Sequence, residues 1–192
     1  MLRKILIGFS TIGLLSLANP VLAEDYLIDT KGAHAFIQFK IAHLGYSWVL
    51  GRFNEFSGTF SYDEKSPESS KVAVTINTAS IDSNHAERDK HLRSDDFLDV
   101  EKFPQASFSS TSYQSTGDGK AVLTGDLTLH GVTRPVTIDV NEIAAGDDPW
   151  GGYRRGFDGT TRIALKDYGI DFNLGPASQE VELFLSVEGI RQ

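Results

Sequence analysis

Residues 120–140 read KAVLTGDLTLHGVTRPVTIDV, and this stretch decides the fold. Small or apolar residues occupy every second position from Ala121 to Leu129 and again from Val136 to Val140. This period of two is typical of half-buried β-strands. His130-Gly131 separates the two halves and is typical of a tight turn. Because short connections favour antiparallel neighbours, the stretch predicts a pair of antiparallel strands.

The same alternation recurs along most of the chain. Short turn signals separate the alternating segments, among them Gly117-Asp118-Gly119 and Gly175-Pro176. We therefore predict seven or eight antiparallel strands in an all-β fold. The alternating apolar positions are Ala35, Ile37, Phe39 and Ile41, then Val72, Val74 and Ile76, and finally Val181, Leu183, Leu185 and Val187.

Two segments depart from this rhythm. Phe53 and Phe56 are three residues apart, whereas Phe56 and Phe60 keep the period of two, so a β-bulge is expected between the first pair. From Asn84 to Leu98 the sequence instead favours a short helix. Asn84 is a cap residue with Glu87 three positions later, and good helix formers follow.

An antiparallel fold of this size is either a sandwich or a closed barrel. The chain contains 12 phenylalanines, more than a small core uses. A barrel of about eight strands leaves room for one ligand, so the composition favours the barrel.

The first residues have the pattern of a secretory signal. Arg3 and Lys4 precede an apolar run of 13 residues, and Val21 and Ala23 supply the small residues that a signal peptidase reads. The run is shorter than the roughly 20 residues that cross a bilayer. We predict that residues 1–23 are cleaved and that residues 24–192 form a single domain exported to the bacterial periplasm.

Charge and cysteine content exclude several classes of function. Removing Arg3 and Lys4 changes the formal net charge from −8 to −10. Nucleic acid is excluded as a partner because phosphate binding needs a basic face, and an anionic membrane surface is disfavoured on the same ground. The chain has no cysteine, so disulfides, thiolate chemistry and cysteine-ligated zinc are excluded.

The densest polar cluster, Asn84 to Arg93, contains histidines and carboxylates, the residue types that bind metals. His85 and His91 lie about 120° apart around a helix, which prevents them from sharing an ion. Glu87 with His91, and His85 with Asp89, have the four-residue spacing of two ligands, but no second ligand pair is evident elsewhere. A solvated helix or one that caps a barrel explains the same residues. No metal is predicted.

The chain resembles the YceI family of periplasmic, lipocalin-like proteins over essentially all of residues 24–192. The resemblance is carried by His34 to Phe39 with His43-Leu44-Gly45, by Gly51-Arg52-Phe53, by Asn84 to Leu98, and by Gly125 to Pro135. Residues 146–152 and 175–181 look like the enterobacterial type of the family.

This resemblance implies an extended antiparallel β-barrel whose apolar pore holds a polyisoprenoid or a similar long-chain amphiphile. It implies no catalytic activity, no cofactor and no metal. We expect a monomer or a homodimer without stable membrane insertion. The residues expected to contact the ligand are Ile37, Phe39, Ile41, Trp48, Phe53, Phe60, Val74, Ile76, Phe108, Leu127, Leu129, Leu183 and Leu185.

Arg88, His91 and Arg93 are candidates for binding a head group at the barrel mouth, because an anionic head needs cations there. Arg88 could instead pair with nearby carboxylates and so fix the helix against the barrel end. Two other classes of function stay open: a metal-assisted enzyme that acts on an amphiphile through Glu87, Asp89 and His91, and a structural exported β protein.

Overall fold

A computed structural model describes residues 23–192. The signal peptide predicted for residues 1–23 therefore lies, except for Ala23, outside the described residues. The described part contains eleven strands and one α-helix, and all the strands belong to one sheet. They are β1 (Glu24–Ile28), β2 (Phe36–His43), β3 (Ser47–Phe53), β4 (Phe56–Tyr62), β5 (Lys71–Asn77), β6 (Ile81–Asp82), β7 (Gln105–Gly117), β8 (Lys120–Leu129), β9 (Val132–Asp147), β10 (Tyr153–Ala164), β11 (Glu180–Arg191) and the helix α1 (Ala86–Arg93).

The sheet closes on itself as an eight-stranded antiparallel barrel. The ring runs in the order β1, β4, β5, β7, β8, β9, β10 and β11, and β1 pairs with β11 to complete it. Tyr26 of β1 lies opposite Phe60 of β4 on one side and opposite Arg191 of β11 on the other. The predicted all-β barrel is confirmed, and the sandwich alternative is wrong.

At three positions in the barrel wall, two shorter strands follow each other along one line where a single long strand would otherwise stand. β1 and β2 both pair with β11, one after the other along its length, and β3 and β4 pair with β2 and β1 in the same way. β6 continues the line of β5 and pairs with β3 only at Arg52 and Phe53. The wall therefore extends at one end beyond the closed ring, and we call this end the mouth.

The β8–β9 hairpin has the predicted form. Leu123 lies opposite Ile138, and both face the barrel interior. The turn residues His130 and Gly131 have φ angles of 50° and 73°. Two successive positive φ angles are the requirement of a type I′ turn, and glycine at the second position meets it without strain.

The irregularity predicted around Phe53 and Phe56 is a break between two strands and not a bulge within one. Asn54 and Glu55 separate β3 from β4. The Asn54 amide donates to the carbonyl of Ser80, and this bond fixes the chain where it passes from β3 to β4. Phe53 and Phe56 consequently both face the interior although they are three residues apart.

The predicted helix is present as α1, but its cap differs from the expected one. The N-cap residue is His85, whose Nδ1 accepts a hydrogen bond from the Arg88 amide at 3.2 Å. Asn84 precedes the cap and has a φ of 62°, a left-handed conformation that asparagine tolerates. Among residues 23–192, no helix combines the length and the apolar character needed to cross a membrane.

Candidate ligand-binding site

The barrel interior holds two adjacent cavities. The outer chamber lies towards the mouth and has a volume of about 410 Å³, and the inner chamber lies beyond it with about 150 Å³. Both chambers share wall residues at the middle of the barrel, so they lie next to each other, and we call the two together the lumen. The shared residues are Ile37, Ile76, Leu127 and Leu183.

The inner chamber is apolar on all sides. Every atom that its walls present to the cavity is apolar, even where Ser61, Ser70 and Thr161 contribute to the wall. Tyr62 and Tyr113 meet edge to face with ring centroids 6.1 Å apart. Burial raises the pKa of both phenols, so they stay neutral at physiological pH.

A buried arginine lies behind this wall and helps to close the inner end. The guanidinium of Arg155 is 4.3 Å from the ring centroid of Tyr62 and forms ion pairs with Glu64 and Glu142. Arg155 is only 2% exposed. A buried charge needs such partners, so these contacts hold the arginine in place and the lumen ends here.

The outer chamber is apolar except at the mouth. Its polar wall residues are His43 at the end of β2, Arg88 and His91 on α1, and Ser178 on the segment before β11. Apolar residues of α1, of that segment and of the chain just after β2 and α1 complete the rim, namely Leu44, Leu92, Phe97, Leu98, Ile170 and Leu174.

An aromatic cluster covers part of the mouth. The His91 ring meets Phe97 edge to face at 4.9 Å and Phe172 at 5.3 Å, and the two phenyl rings are 5.0 Å apart. His91 Nε2 also lies 2.8 Å from Oδ2 of Asp96. These contacts hold the segment of residues 170–178 against α1.

Sequence reasoning missed this second half of the cover. Residues 170–178 contain Phe172 and Leu174, but Gly175-Pro176 was interpreted only as a turn. Ser178 is buried and its hydroxyl donates to the carbonyl of Ala42 at 2.6 Å. This bond attaches the segment to β2, and no periodic pattern in the sequence could have indicated it.

Arg88 and Asp89 attach α1 to the chain before it. Arg88 donates from Nε to the hydroxyl of Ser83 at 2.7 Å and from Nη2 to the Ser83 carbonyl at 2.6 Å. Asp89 is buried and accepts from the Ser83 amide at 2.8 Å and from the Ser83 hydroxyl at 2.5 Å. Ser83 therefore forms hydrogen bonds with the side chains of both Arg88 and Asp89.

Arg93 makes a second attachment. Its Nε donates to the carbonyl of Ala79 at 2.7 Å and its Nη2 to the carbonyl of Ile81 at 2.6 Å. Of the three residues predicted to bind a head group, Arg88 and His91 line the outer chamber and Arg93 does not. Arg88 does fix the helix, as the alternative had it, but it bonds to Ser83 and not to carboxylates.

Twelve of the thirteen predicted contact residues line the lumen, and Trp48 does not. Trp48 is 61% exposed, and the Nζ of Lys40 lies 4.6 Å from the centroid of its ring. Because Val49 faces the outer chamber, the alternation along β3 points Trp48 to the outside. The twelve that line the lumen are Ile37, Phe39, Ile41, Phe53, Phe60, Val74, Ile76, Phe108, Leu127, Leu129, Leu183 and Leu185.

The metal site considered for an enzyme is not assembled in this structure. Asp89 faces Ser83, His91 faces Asp96, and Glu87 is exposed. Among residues 23–192 the group of potential ligands that does converge is Asp29, His34 and Glu188.

The guanidinium cation of Arg154 already pairs with the carboxylates of this group. Nη1 of Arg154 lies 2.7 Å from Oδ2 of Asp29 and also pairs with Glu188, while its Nε lies 2.8 Å from Oδ2 of Asp148. His34 Nδ1 lies 3.1 Å from Oδ2 of Asp29. A guanidinium at the carboxylates supplies the charge that a metal would supply, so the cluster is an ion-pair network.

A closed antiparallel barrel with an apolar lumen and a polar mouth defines a class of protein that encloses a ligand in its interior. The chain belongs to the YceI family, since the model of the YceI-like domain matches residues 26–189. It is 60% identical over 192 residues to a UPF0312 protein of Pseudomonas aeruginosa and 56% identical over 191 residues to Protein YceI of Escherichia coli O157:H7, with 100% of both chains covered in each comparison.

Solved structures show the same architecture. The YceI protein of Campylobacter jejuni has 30% sequence identity and a TM-score of 0.72, and the match covers 80% of this chain and 91% of that one. A polyisoprenoid-binding domain from Saccharophagus degradans has 15% identity and a TM-score of 0.64, and the match covers 87% and 98% of the two chains. The second likeness shows the fold alone. The family and the fold are those of a barrel binding protein.

Proposed function

We propose that this protein is a periplasmic carrier that encloses a long-chain amphiphile of the polyisoprenoid class in its lumen. The observation that supports this most directly is the pair of adjacent apolar chambers inside the barrel, which share the wall residues Ile37, Ile76, Leu127 and Leu183. Apolar chambers arranged one behind the other fit an extended hydrocarbon chain. The polyisoprenoid-binding domain of Saccharophagus degradans has the same fold and adds support.

The ligand is held by burial of apolar surface. Each buried CH₂ contributes about 0.8 kcal/mol, so a five-carbon isoprene unit contributes up to about 4 kcal/mol before ordering costs. Several units would exceed the practical ceiling of about 18 to 21 kcal/mol, so loss of chain freedom offsets much of this gain. Because apolar walls discriminate weakly between chains of similar width, we expect the carrier to accept several amphiphiles.

The ligand is oriented with its tail inward. The inner chamber offers no polar atom to a head group, whereas His43, Arg88 and His91 lie on the wall at the mouth. Arg88 uses Nε and Nη2 to bind Ser83, so its charge stays near the mouth in a fixed position. An anionic head group at the mouth gains from this charge without leaving water.

Extraction of the purified protein with organic solvent, followed by mass spectrometry, tests the proposal. We expect one long-chain amphiphile per barrel. A protein purified under the same conditions without any such lipid would contradict the carrier function. Periplasmic export is tested by the intact mass of the periplasmic form, which is expected to begin at Glu24, and a mass that retains residues 1–23 would contradict it.

The head-group orientation has its own test. Arg88→Gln is expected to weaken binding of an anionic-headed amphiphile more than binding of a neutral-headed one of equal chain length, because it removes the fixed charge at the mouth. Lys90→Gln, which removes a charge from the exposed face of the same helix, is the matched control. Equal losses for both ligands would contradict a head-group site at Arg88.

A further inference from the structure

The β2–β3 hairpin exposes an unusual amount of apolar surface beside the mouth. Leu44, Tyr46, Trp48 and Leu50 are 54%, 89%, 61% and 64% exposed. We call these four residues the hairpin patch. Since a single aromatic side chain carries about 150 to 250 Å², the patch presents on the order of 500 Å², which is in the upper part of the roughly 300 to 600 Å² of the largest apolar patch on a typical monomer, and such patches often mark interaction sites.

The hairpin also differs in charge from the rest of the chain. Residues 36–54 contain no aspartate or glutamate and include Lys40 and Arg52, although the whole chain has a formal net charge of −8. Lys40 lies over the Trp48 ring at 4.6 Å and also 3.4 Å from Glu182 of β11. The hairpin therefore combines apolar exposure with a local excess of positive charge, part of which Glu182 offsets, although the net negative charge disfavours an anionic membrane for the chain as a whole.

The patch is continuous with the entrance to the lumen. Leu44 belongs both to the patch and to the wall of the outer chamber, and Val49, next to Trp48, faces that chamber. Phe172, on the segment of residues 170–178 that covers part of the mouth, is also 42% exposed. Exposed apolar side chains therefore adjoin the entrance.

We propose that the hairpin patch docks reversibly on the surface of a phospholipid bilayer, so that the mouth opens onto the membrane during ligand exchange. This inference rests on the proposed carrier function, because an amphiphile with a long apolar tail resides in a bilayer before and after transport. Tyrosine and tryptophan are the side chains enriched at the membrane–water interface. Lysine and arginine are attracted by the negative surface potential of an anionic leaflet.

The charge of the hairpin favours a membrane over a second copy of the chain. A two-fold dimer through this face would bring each hairpin against its own copy, because such an interface uses the same patch on both subunits. Lys40 and Arg52 of both copies would then lie in one interface, and an excess of like charge within an interface opposes association. An anionic bilayer complements these residues instead.

Co-sedimentation with lipid vesicles tests the docking surface. Wild-type protein is expected to bind vesicles of phosphatidylethanolamine with phosphatidylglycerol, and to bind vesicles of phosphatidylcholine more weakly. The double substitution Tyr46→Ser with Trp48→Ser is expected to lower the affinity by roughly tenfold or more. Trp150→Ser is the matched control, since Trp150 is 76% exposed in the turn between β9 and β10, at the end opposite the mouth. Equal binding by the double variant and wild type would overturn the proposal.

Tryptophan fluorescence provides a second measurement. The chain has two tryptophans, so Trp150→Phe leaves Trp48 as the sole reporter. We expect its emission to shift to shorter wavelength when vesicles are added, with no shift from Trp150 in a Trp48→Phe protein. A concentration-dependent dimer that protects Trp48 and does not bind vesicles would show that a second copy covers the patch, and would overturn the proposal.

The outcome is separable from that of the carrier function. Lipid content after extraction is measured on the same double variant, whose substituted side chains do not line the lumen. Vesicle binding by a wild-type protein that contains no lipid would support docking and contradict the carrier. Lipid content without any vesicle binding would overturn docking and leave the carrier intact.

Discussion

The phenyl ring of Phe39 lies directly against the backbone of Gly51 across the β2–β3 pair. A β-carbon added at Gly51 would lie 2.3 Å from Cζ of Phe39, closer than real contacts allow. Glycine thus lets the ring lie flat on the barrel wall and leaves the outer chamber open. The same arrangement recurs at two other wall residues, Phe108 over Gly125 and Phe60 over Gly189.

Gly51→Ala is expected to push the Phe39 ring into the outer chamber. Crowding of this kind costs about 1 to 3 kcal/mol of unfolding free energy, and the chamber also loses volume. Urea unfolding and extracted lipid per protein measure the two effects. Gly146→Ala is the control, because no atom lies within 4 Å of a β-carbon built there. A Gly51→Ala protein with unchanged stability and lipid content would show that the ring moves freely.

Leu127→Glu places a carboxylate at the junction of the two chambers, where no cation lies on the wall. A buried charge without a partner either prevents folding or draws water into the lumen, so we expect loss of the lipid. Circular dichroism and lipid extraction distinguish the two. Gln114→Glu on the exposed face of β7 is the control and is expected to change neither. Full lipid content in a folded Leu127→Glu protein would exclude this part of the lumen as the binding site.

Arg88→Gln and Arg93→Gln remove the bonds that attach α1 to the chain before it. Each arginine makes two charge-assisted hydrogen bonds, and carbonyls left without donors add to the loss, so a decrease of about 1 to 3 kcal/mol is expected for each substitution. Thermal and urea unfolding measure it. Lys90→Gln, in the same helix and exposed, is expected to have little effect. Unchanged stability in both arginine variants would contradict the attachment.

Asp29 makes the stability depend on acid pH. The hydrogen bond from Arg154, followed by those from Gly32 and His34, lowers the pKa of this carboxyl from 3.8 to about 2. A lowered pKa in the folded state means that the ionised form stabilises the fold above about pH 4, and that this contribution is lost as the pH falls towards 2.

Asp29→Asn is therefore expected to lower the unfolding free energy by about 1 to 2 kcal/mol at neutral pH, with the difference from wild type vanishing near pH 2. Urea midpoints measured across this range test it. Asp25→Asn, on the exposed face of β1, is the control. A difference that persists at pH 2 would mean that the aspartate acts through packing and not through its charge.

The alternation of apolar residues predicted most of the lumen, because in a barrel the period of two separates inside from outside along every strand. It predicted Leu127, Leu129 and Leu183 without knowledge of the pairing. Trp48 was assigned to the lumen for its aromatic character, although its position relative to Val49 places it outside. The register of β3, which decides which of its side chains face the lumen, depends on the geometry of the turn after His43. The sequence pattern does not specify that geometry.

The cover of the mouth could be predicted only in part. α1 has local signals, namely a cap and good helix formers, and was predicted. The contacts of His91 with Phe172 and of Ser178 with Ala42 join residues far apart in the sequence. Such contacts follow from the closed barrel, which brings the segment before β11 beside β2, and no local pattern encodes them.

The pairing of β1 with β11 has a consequence for how the chain folds. The ring closes only when the first strand meets the last, and Glu24 and Arg191 form an ion pair at 2.9 Å across this seam. The lumen cannot form until the strand that ends at Arg191 is available to pair with β1, so the apolar inner faces of the earlier strands stay uncovered until then. Contacts between such distant residues slow folding. Glu24 and Arg191 also lie close enough for a short linker to join them, which would allow new termini to be opened at the turn around Asp118.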